Sequence, residues 1–270
     1  MDRTGFLHRF VDDARTLGVR PGGVLLVHSS LGAFSRAADG DATDRVPGGA
    51  TTVIDALLAS IDEAGTLLLP ALSYEFVTRS KPVFDARTTP SNVGAIPEAF
   101  RRRPGVIRSL HPTHSVCATG PRAAELTADH IADSTPCGGH SPFHRLPEVG
   151  GQILMLGCSL MPNTSMHAIE ELVEPRYLFG EPYECSVTDA DGATVRKRYR
   201  PHGFRGWQQR YDRVADILSP PALRTGAVAG APSHLIEARD LWTAVKRRLR
   251  EDELAFVARL GAGPGAGEGA

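Results

Sequence analysis

Three short, wholly apolar runs constrain this chain more than any other feature: Val24-Leu25-Leu26-Val27, Leu67-Leu68-Leu69 and Ile153-Leu154-Met155-Leu156. Each is too short for a free-standing helix and has no polar face, the pattern of a strand covered on both sides. Turn-forming residues bound them: Pro21-Gly22-Gly23 before the first, Gly65 and Pro70 around the second, Gly151 and Gly157 around the third. Between the runs, apolar residues recur at helical spacing. Phe6, Leu7, Phe10, Val11, Ala14 and Leu17 predict a helix over 3–17, which Gly18 stops; Val53, Ile54, Ala56, Leu57 and Leu58 predict another after Gly48-Gly49-Ala50. Buried strands alternating with amphipathic helices predict an α/β fold, a mixed central β-sheet flanked by helices.

The rest of the chain fits around that frame. A strand is expected at 116–120, with helices near 96–103, 123–130 and from Ser141-Pro142-Phe143. The polar stretch up to Pro47 reads as a surface loop. Residues 73–97, broken by Pro82, Pro90, Asn92 and Gly94, read as a long irregular connection of the kind that forms lids or binding loops. Beyond Pro182, Tyr183, Cys185 and Val187 alternate, the turn Asp189-Ala190-Asp191-Gly192 follows, and Val195 and Tyr199 complete a smaller C-terminal β-meander. Helices are expected over 204–218 and 235–249. Lys246, Arg247, Arg248 and Arg250 crowd the end of the second, where basic charge complements the helix dipole better than it marks a nucleic-acid patch. The expected organisation is one domain over 1–260 with a disordered Gly/Ala-rich tail at 261–270.

A formal net charge of −1 leaves no global field to attract nucleic acid or anionic lipid. No apolar run approaches a membrane span, and Met1-Asp2-Arg3-Thr4-Gly5 lacks the layout of a signal peptide, so a cytoplasmic protein is expected. Cys117, Cys137, Cys158 and Cys185 are scattered without a Cys-x-x-Cys pair, which argues against a thiolate zinc site and against disulfides.

Chemistry-bearing residues gather where strands end. Thr164-Ser165-Met166-His167-Ala168-Ile169-Glu170-Glu171 follows the third apolar run, and His167 meets Glu170 at i+3 and Glu171 at i+4 on one helical face. An imidazole oriented by a carboxylate is a general base suited to neutral pH. His28-Ser29-Ser30-Leu31 leaves the first strand, and Arg108-Ser109-Leu110-His111-Pro112-Thr113-His114-Ser115 precedes the strand at 116. Backbone amides, hydroxyls and an arginine at strand exits suit phosphate groups. No dinucleotide fingerprint, Walker A loop or Gly-x-Ser-x-Gly elbow is present, so Ser159 and Cys158 are poor candidates for a hydrolase nucleophile. His111, His114, His140, His144 and His167 raise the question of a metal. With no His-Glu-x-x-His and no aspartate-rich frame, no metal is expected.

Taken in order, these residues resemble the aminoglycoside 3-N-acetyltransferase family. The likeness runs through His28-Ser29-Ser30-Leu31, Gly48-Gly49-Ala50, Gly65-Thr66-Leu67, Phe84-Asp85 with Gly94, and Arg108-Ser109-x-His111-Pro112 with Ser115. It continues through Ser141-Pro142, Gly151-x-Ile153-Leu154-x-Leu156-Gly157 and Thr164-x-x-His167-x-x-Glu170, covering about residues 5–180. The resemblance implies the family's antibiotic-acetyltransferase fold rather than the GNAT fold, with acetyl-coenzyme A as donor and an amine of a 2-deoxystreptamine antibiotic as acceptor; the alternatives are a non-aminoglycoside amine as acceptor, or a non-catalytic coenzyme A-binding protein. It implies direct transfer in a ternary complex, with His167 as base, Glu170 orienting it and the Thr164 hydroxyl facing the developing oxyanion; monomer and homodimer both stay open. It also implies that His28, Ser29, Ser30 and Leu31, together with Arg108, Ser109, His111 and Ser115, line the coenzyme A site. Glu75, Asp85, Glu98, Glu171 and Glu174 are the acids expected to receive substrate ammonium groups. The region 183–250 is the more variable part, and at 198–207 it is basic and aromatic where the family's aminoglycoside enzymes present acids.

Overall fold

The computed structural model describes residues 1–36 and 46–261. The helix α1 (Arg3–Leu17) opens at Asp2, whose side chain accepts from the Gly5 amide at 2.8 Å, and closes on left-handed Gly18. It leads into β1 (Val24–Ser29), α2 (Gly32–Arg36), α3 (Gly49–Ile61) and β2 (Thr66–Pro70). Next come β3 (Val83–Asp85), α4 (Ala95–Arg101), β4 (Ile107–Arg108), β5 (Val116–Thr119), α5 (Ala123–Thr127), α6 (Pro142–Arg145), β6 (Gln152–Leu156) and α7 (Ser165–Val173). The C-terminal third holds β7 (Tyr183–Thr188), β8 (Thr194–Tyr199), β9 (Trp207–Gln209), β10 (Leu223–Val228), β11 (Ala231–Glu237), α8 (Ala238–Glu251) and β12 (Val257–Arg259).

Seven strands form the central sheet in the order β10-β11-β6-β1-β2-β5-β4. The middle three, β6, β1 and β2, are mutually parallel, and they are the three apolar runs. Antiparallel β11 and β5 flank them, so the sheet is mixed. The period of two divides each run between two cores. Leu25, Val27, Leu67, Leu69, Leu154 and Leu156 face one side with Phe6, Phe10, Val53 and Leu57 of α1 and α3. Val24, Leu26, Leu68, Ile153 and Met155 face the other, with Met166 and Ile169 of α7 and Leu241, Val245 and Leu249 of α8. The result is a three-layer sandwich, and truncating a central leucine such as Leu154 to alanine would cost about 2–5 kcal/mol. The meander β7–β8 pairs with β3 in a separate three-stranded sheet with its own small core of Phe84, Cys185, Val187 and Tyr199.

Several expectations are corrected. The 204–218 stretch is not a helix: β9 pairs with β12, the Arg210 amide donates to the Phe256 carbonyl at 2.8 Å, and only a single 3-10 segment, Tyr211–Asp216, follows. Its first part spends its backbone bonds on residues 256–259, and only the second part bonds along itself. Residues 235–237 belong to β11, where Ile236 sits in register with Ile153, and the helix starts only at Ala238. The connection 73–97 contains β3, held by parallel pairing to β7. The helix expected over 123–130 is cut to Ala123–Thr127, followed by a 3-10 turn at His130–Ala132. The loop before Pro47 and the Gly/Ala tail fall largely at 37–45 and 262–270, outside the described residues. Among the described residues no helix is long and apolar enough to cross a membrane.

Candidate active site

His28 is the fifth residue of β1 and takes the same face as Val24 and Leu26, toward α7. Gly157 ends β6 with φ +69°, and a Cβ there would meet the Ala33 methyl at 2.5 Å; only glycine lets the chain turn out of the sheet here. Six residues later Asn163 Oδ1 accepts the Ser165 amide at 3.1 Å, and α7 begins. Its first full turn presents Thr164 and His167 to a cavity of about 710 Å³, a size suited to a small-molecule ligand. The parallel strands point their C-terminal ends at this cavity, the edge where ligands collect in α/β sheets.

His167 is held from behind. Its Nδ1 lies 3.0 Å from Glu170 Oε2 across one turn of α7. Glu170 is fully buried, and its carboxylate also accepts from the Tyr211 hydroxyl at 2.7 Å and from the Tyr177 hydroxyl at 2.8 Å. With both phenols donating, Glu170 is satisfied as an anion, and Nδ1 carries the proton of the neutral ring. This assigns the Nε2 lone pair to the cavity side. The carboxylate in turn pushes the Tyr211 phenol well above its ordinary range, after burial itself, which keeps that hydroxyl a donor.

Glu171 has a different partner. Its Oε1 accepts from His202 Nε2 at 2.8 Å and from the Cys137 amide at 2.8 Å. Burial pushes the Glu171 carboxyl up to about 7, with hydrogen bonds from Thr135 and the Cys137 amide opposing. Burial pushes His202 down, with repulsion from His167 second. His202 arrives from far along the chain. Residues 177–180 and 201–204 run side by side: Gly180 N–H donates to Pro201 O at 2.8 Å, Gly203 N–H to Leu178 O at 2.7 Å and Phe204 N–H to Tyr177 O at 3.0 Å. That pairing sets Tyr177 and His202 against α7 together. His114 completes the group, with Nδ1 2.9 Å from the Thr113 hydroxyl, and its ring is held well below the usual imidazole range by burial and then by His202 and His167.

The expected donor-site residues divide. His28 and Ser29 line the cavity, and His28 Nε2 and Ser29 Oγ are buried without a protein partner. Such orphaned groups fit a ligand that supplies polar atoms there, as the amides of a pantetheine arm would. Burial, reinforced by His167, holds His28 at about 3, so its ring is neutral. Ser30 and Leu31 follow at the start of α2, outside the lining. Arg108, Ser109, His111 and Ser115 do not line the cavity. Arg108 spends its guanidinium on Ser115 Oγ and on the carbonyls of Ala71, Ala86 and Thr89, and Ser115 donates onward to Ala71 O. Ser109 bonds His130, and His111 Nδ1 accepts the Thr113 and His114 amides. The segment is a buried scaffold that carries Thr113 and His114 to the cavity.

The acids expected to hold ammonium groups also lie elsewhere. None of Glu75, Asp85, Glu98, Glu171 and Glu174 lines the cavity. Asp85 is bridged by Arg87 at 2.7 and 3.0 Å, which holds its carboxyl at about 2. For Glu98, burial would raise the carboxyl, but Arg101, the Ser91 amide and Arg102 hold it at about 2. Glu174, the left-handed residue that caps α7, is exposed, 3.8 Å from Arg200, and Glu75 is exposed in the 73–97 connection. Among the described residues the lining offers one carboxylate, Glu181, against Arg79 and Arg205.

A family model described as aminoglycoside 3-N-acetyltransferase matches residues 26–250. Aminoglycoside N(3)-acetyltransferase VII of Streptomyces paromomycinus is 33% identical over 264 residues, covering 86% of this chain and 87% of that protein. Among solved structures, a variant of aminoglycoside acetyltransferase AAC(3)-IVa in complex with gentamicin superposes with a TM-score of 0.76 at 30% identity, covering 92% of this chain and 90% of the other. AAC-IIIb in a binary complex with CoASH gives 0.75 at 25% identity, covering 93% and 97%.

Proposed function

Because the chain belongs to the aminoglycoside 3-N-acetyltransferase family, we propose that it transfers acetyl from acetyl-coenzyme A to the 3-amino group of a 2-deoxystreptamine aminoglycoside, in one step within a ternary complex. The observation that carries the mechanism is the Glu170–His167 pair, set in the wall of the cavity with Nε2 as the nitrogen that Glu170 leaves free. An amine is protonated at neutral pH and attacks a thioester only as the free base. His167 Nε2 takes that proton while Glu170, braced by Tyr177 and Tyr211, stabilises the imidazolium that forms. The new C–N bond forms at the thioester carbon, the C–S bond breaks, the proton on His167 passes to the departing thiolate, and the new amide nitrogen releases its remaining extra proton to solvent. Negative charge gathers on the carbonyl oxygen meanwhile, and Thr164, which lines the cavity, is the residue whose hydroxyl donates to it. His28 and Ser29 offer their unpartnered atoms to the donor's arm. No nucleophile is required: burial pushes the Cys158 thiol up to about 12, far from the thiolate form.

A second acceptor class, an amine with fewer positive charges, is favoured by Arg79 and Arg205 in the lining. Free-thiol release from acetyl-coenzyme A separates the two, measured with a panel of aminoglycosides and with monoamines. Release that requires an aminoglycoside, with acetylation at the 3-amino position, is expected. Release only with a monoamine would change the acceptor, and release with no acceptor would remove the transferase reading.

A further inference from the structure

Three histidines converge on the cavity wall. One ring nitrogen from each of His114, His167 and His202 lies within 4.8 Å of the others. The rings pack at centroid distances of 4.5 Å for His167 and His202, 5.2 Å for His114 and His202, and 6.0 Å for His114 and His167. The second nitrogen of each ring is already committed: His167 Nδ1 to Glu170, His202 Nε2 to Glu171 and His114 Nδ1 to the Thr113 hydroxyl. The nitrogens left over are His167 Nε2, His114 Nε2 and His202 Nδ1, and the last is buried with no hydrogen-bond partner. A buried, unpartnered nitrogen is costly unless a ligand meets it.

We propose that His114, His167 and His202 form a mononuclear site for a divalent transition ion of the zinc type. An imidazole that donates its second N–H to a carboxylate or hydroxyl is the arrangement that orients and strengthens metal-ligating histidines, and here the second nitrogen of each ring lies within hydrogen-bond distance of such a group. Glu170 and Glu171 stand as acceptors behind two of them. Three neutral nitrogens select zinc, cobalt, nickel or copper over magnesium or calcium. With metal–nitrogen bonds of about 2.0–2.1 Å, a tetrahedral ion sets its ligands about 3.4 Å apart. The widest pair therefore closes by no more than about 1.4 Å, within the reach of small ring rotations. The fourth position opens on the cavity. On the proposed acetyltransferase reading, the ion occupies the nitrogen that removes the substrate proton, so the ion and acetyl transfer exclude one another.

The site is tested by adding Co2+ to chelator-stripped protein, with Zn2+ calorimetry alongside. One equivalent of Co2+ is expected to give the visible absorption of a four-coordinate ion, which one equivalent of Zn2+ abolishes. His202→Asn, which can still donate to Glu171, is expected to lose that band while melting as a folded protein. Glu171→Gln keeps an acceptor behind His202 without its charge and is expected to weaken Zn2+ about 10–100-fold. Absence of 1:1 binding, or unchanged affinity in His202→Asn, would overturn the site. These readouts need no turnover, so they stand apart from the acetyltransferase assignment. Full-rate acetyl transfer with the site occupied would overturn the exclusion.

Discussion

At the scale of single residues, the feature that matters is how a fully buried carboxylate keeps its charge. Glu170 accepts from the His167 ring and from two phenols, and no water is needed to satisfy it. Removing one donor from a buried anion costs about 1.5–3 kcal/mol, and here the cost appears as a looser imidazole. Tyr211→Phe keeps the ring's volume and deletes that donor. We expect kcat to fall about 10–100-fold with the KM for acetyl-coenzyme A nearly unchanged, measured by steady-state thiol release beside a thermal melt. An unchanged kcat would mean that Tyr211 only fills space. The His167–Glu170 pair was legible in the sequence because i, i+3 spacing on a helix is a local signal. Tyr211 lies 41 residues beyond Glu170 and His202 lies 31 beyond Glu171, with no periodicity linking them. A clue to the misplaced acids was nonetheless present: Asp85 has Arg87 two residues on, and Glu98 has Arg101 and Arg102 at i+3 and i+4. Those spacings announce local ion pairs rather than a ligand site.

At the scale of elements, the site depends on one backbone-to-backbone contact. A Cβ on Gly203 would stand 2.9 Å from the Gly180 nitrogen and 3.0 Å from the Phe179 carbonyl carbon, too close for either strand-like segment to stay in place. Gly203→Ala should therefore displace the loop that carries His202 and cost about 1–3 kcal/mol, read as a lowered urea midpoint. A midpoint equal to wild type would mean that the pairing of 177–180 with 201–204 is dispensable. The three central strands and the flanking amphipathic helices were readable beforehand, because a strand buried on both faces and a helix buried on one leave distinct patterns. The 177–180 and 201–204 segments leave none, since their partners are each other and their bonds are main-chain. The 204–218 stretch misled for the same reason: its apolar residues recur at near-helical spacing, yet Trp207 packs beside Tyr177 and Tyr211 reaches Glu170.

At the scale of the whole molecule, the sandwich buries histidines as neutral rings, and that couples stability to pH. Burial, reinforced by His167, holds His28 at about 3, and burial, partly offset by the Pro136 carbonyl, holds His130 at about 4; both return to 6.5 when unfolded. Between those values the unfolded chain binds protons that the folded chain refuses. Their contribution is complete above about pH 6.5 and is lost on acidification, at about 1.4 kcal/mol per pH unit for each ring. Urea midpoints measured between pH 7 and pH 4 should fall steadily, and His130→Gln should flatten the slope by one proton; a midpoint independent of pH would contradict this. The same burial brings the strand exits together around one cavity, and the account rests on what His167 does there. Its most direct test compares wild type and His167→Ala for aminoglycoside-dependent thiol release from acetyl-coenzyme A, with coenzyme A affinity measured in parallel. We predict that turnover falls about 10²–10⁴-fold while coenzyme A still binds. Wild-type turnover in the alanine variant would contradict the account.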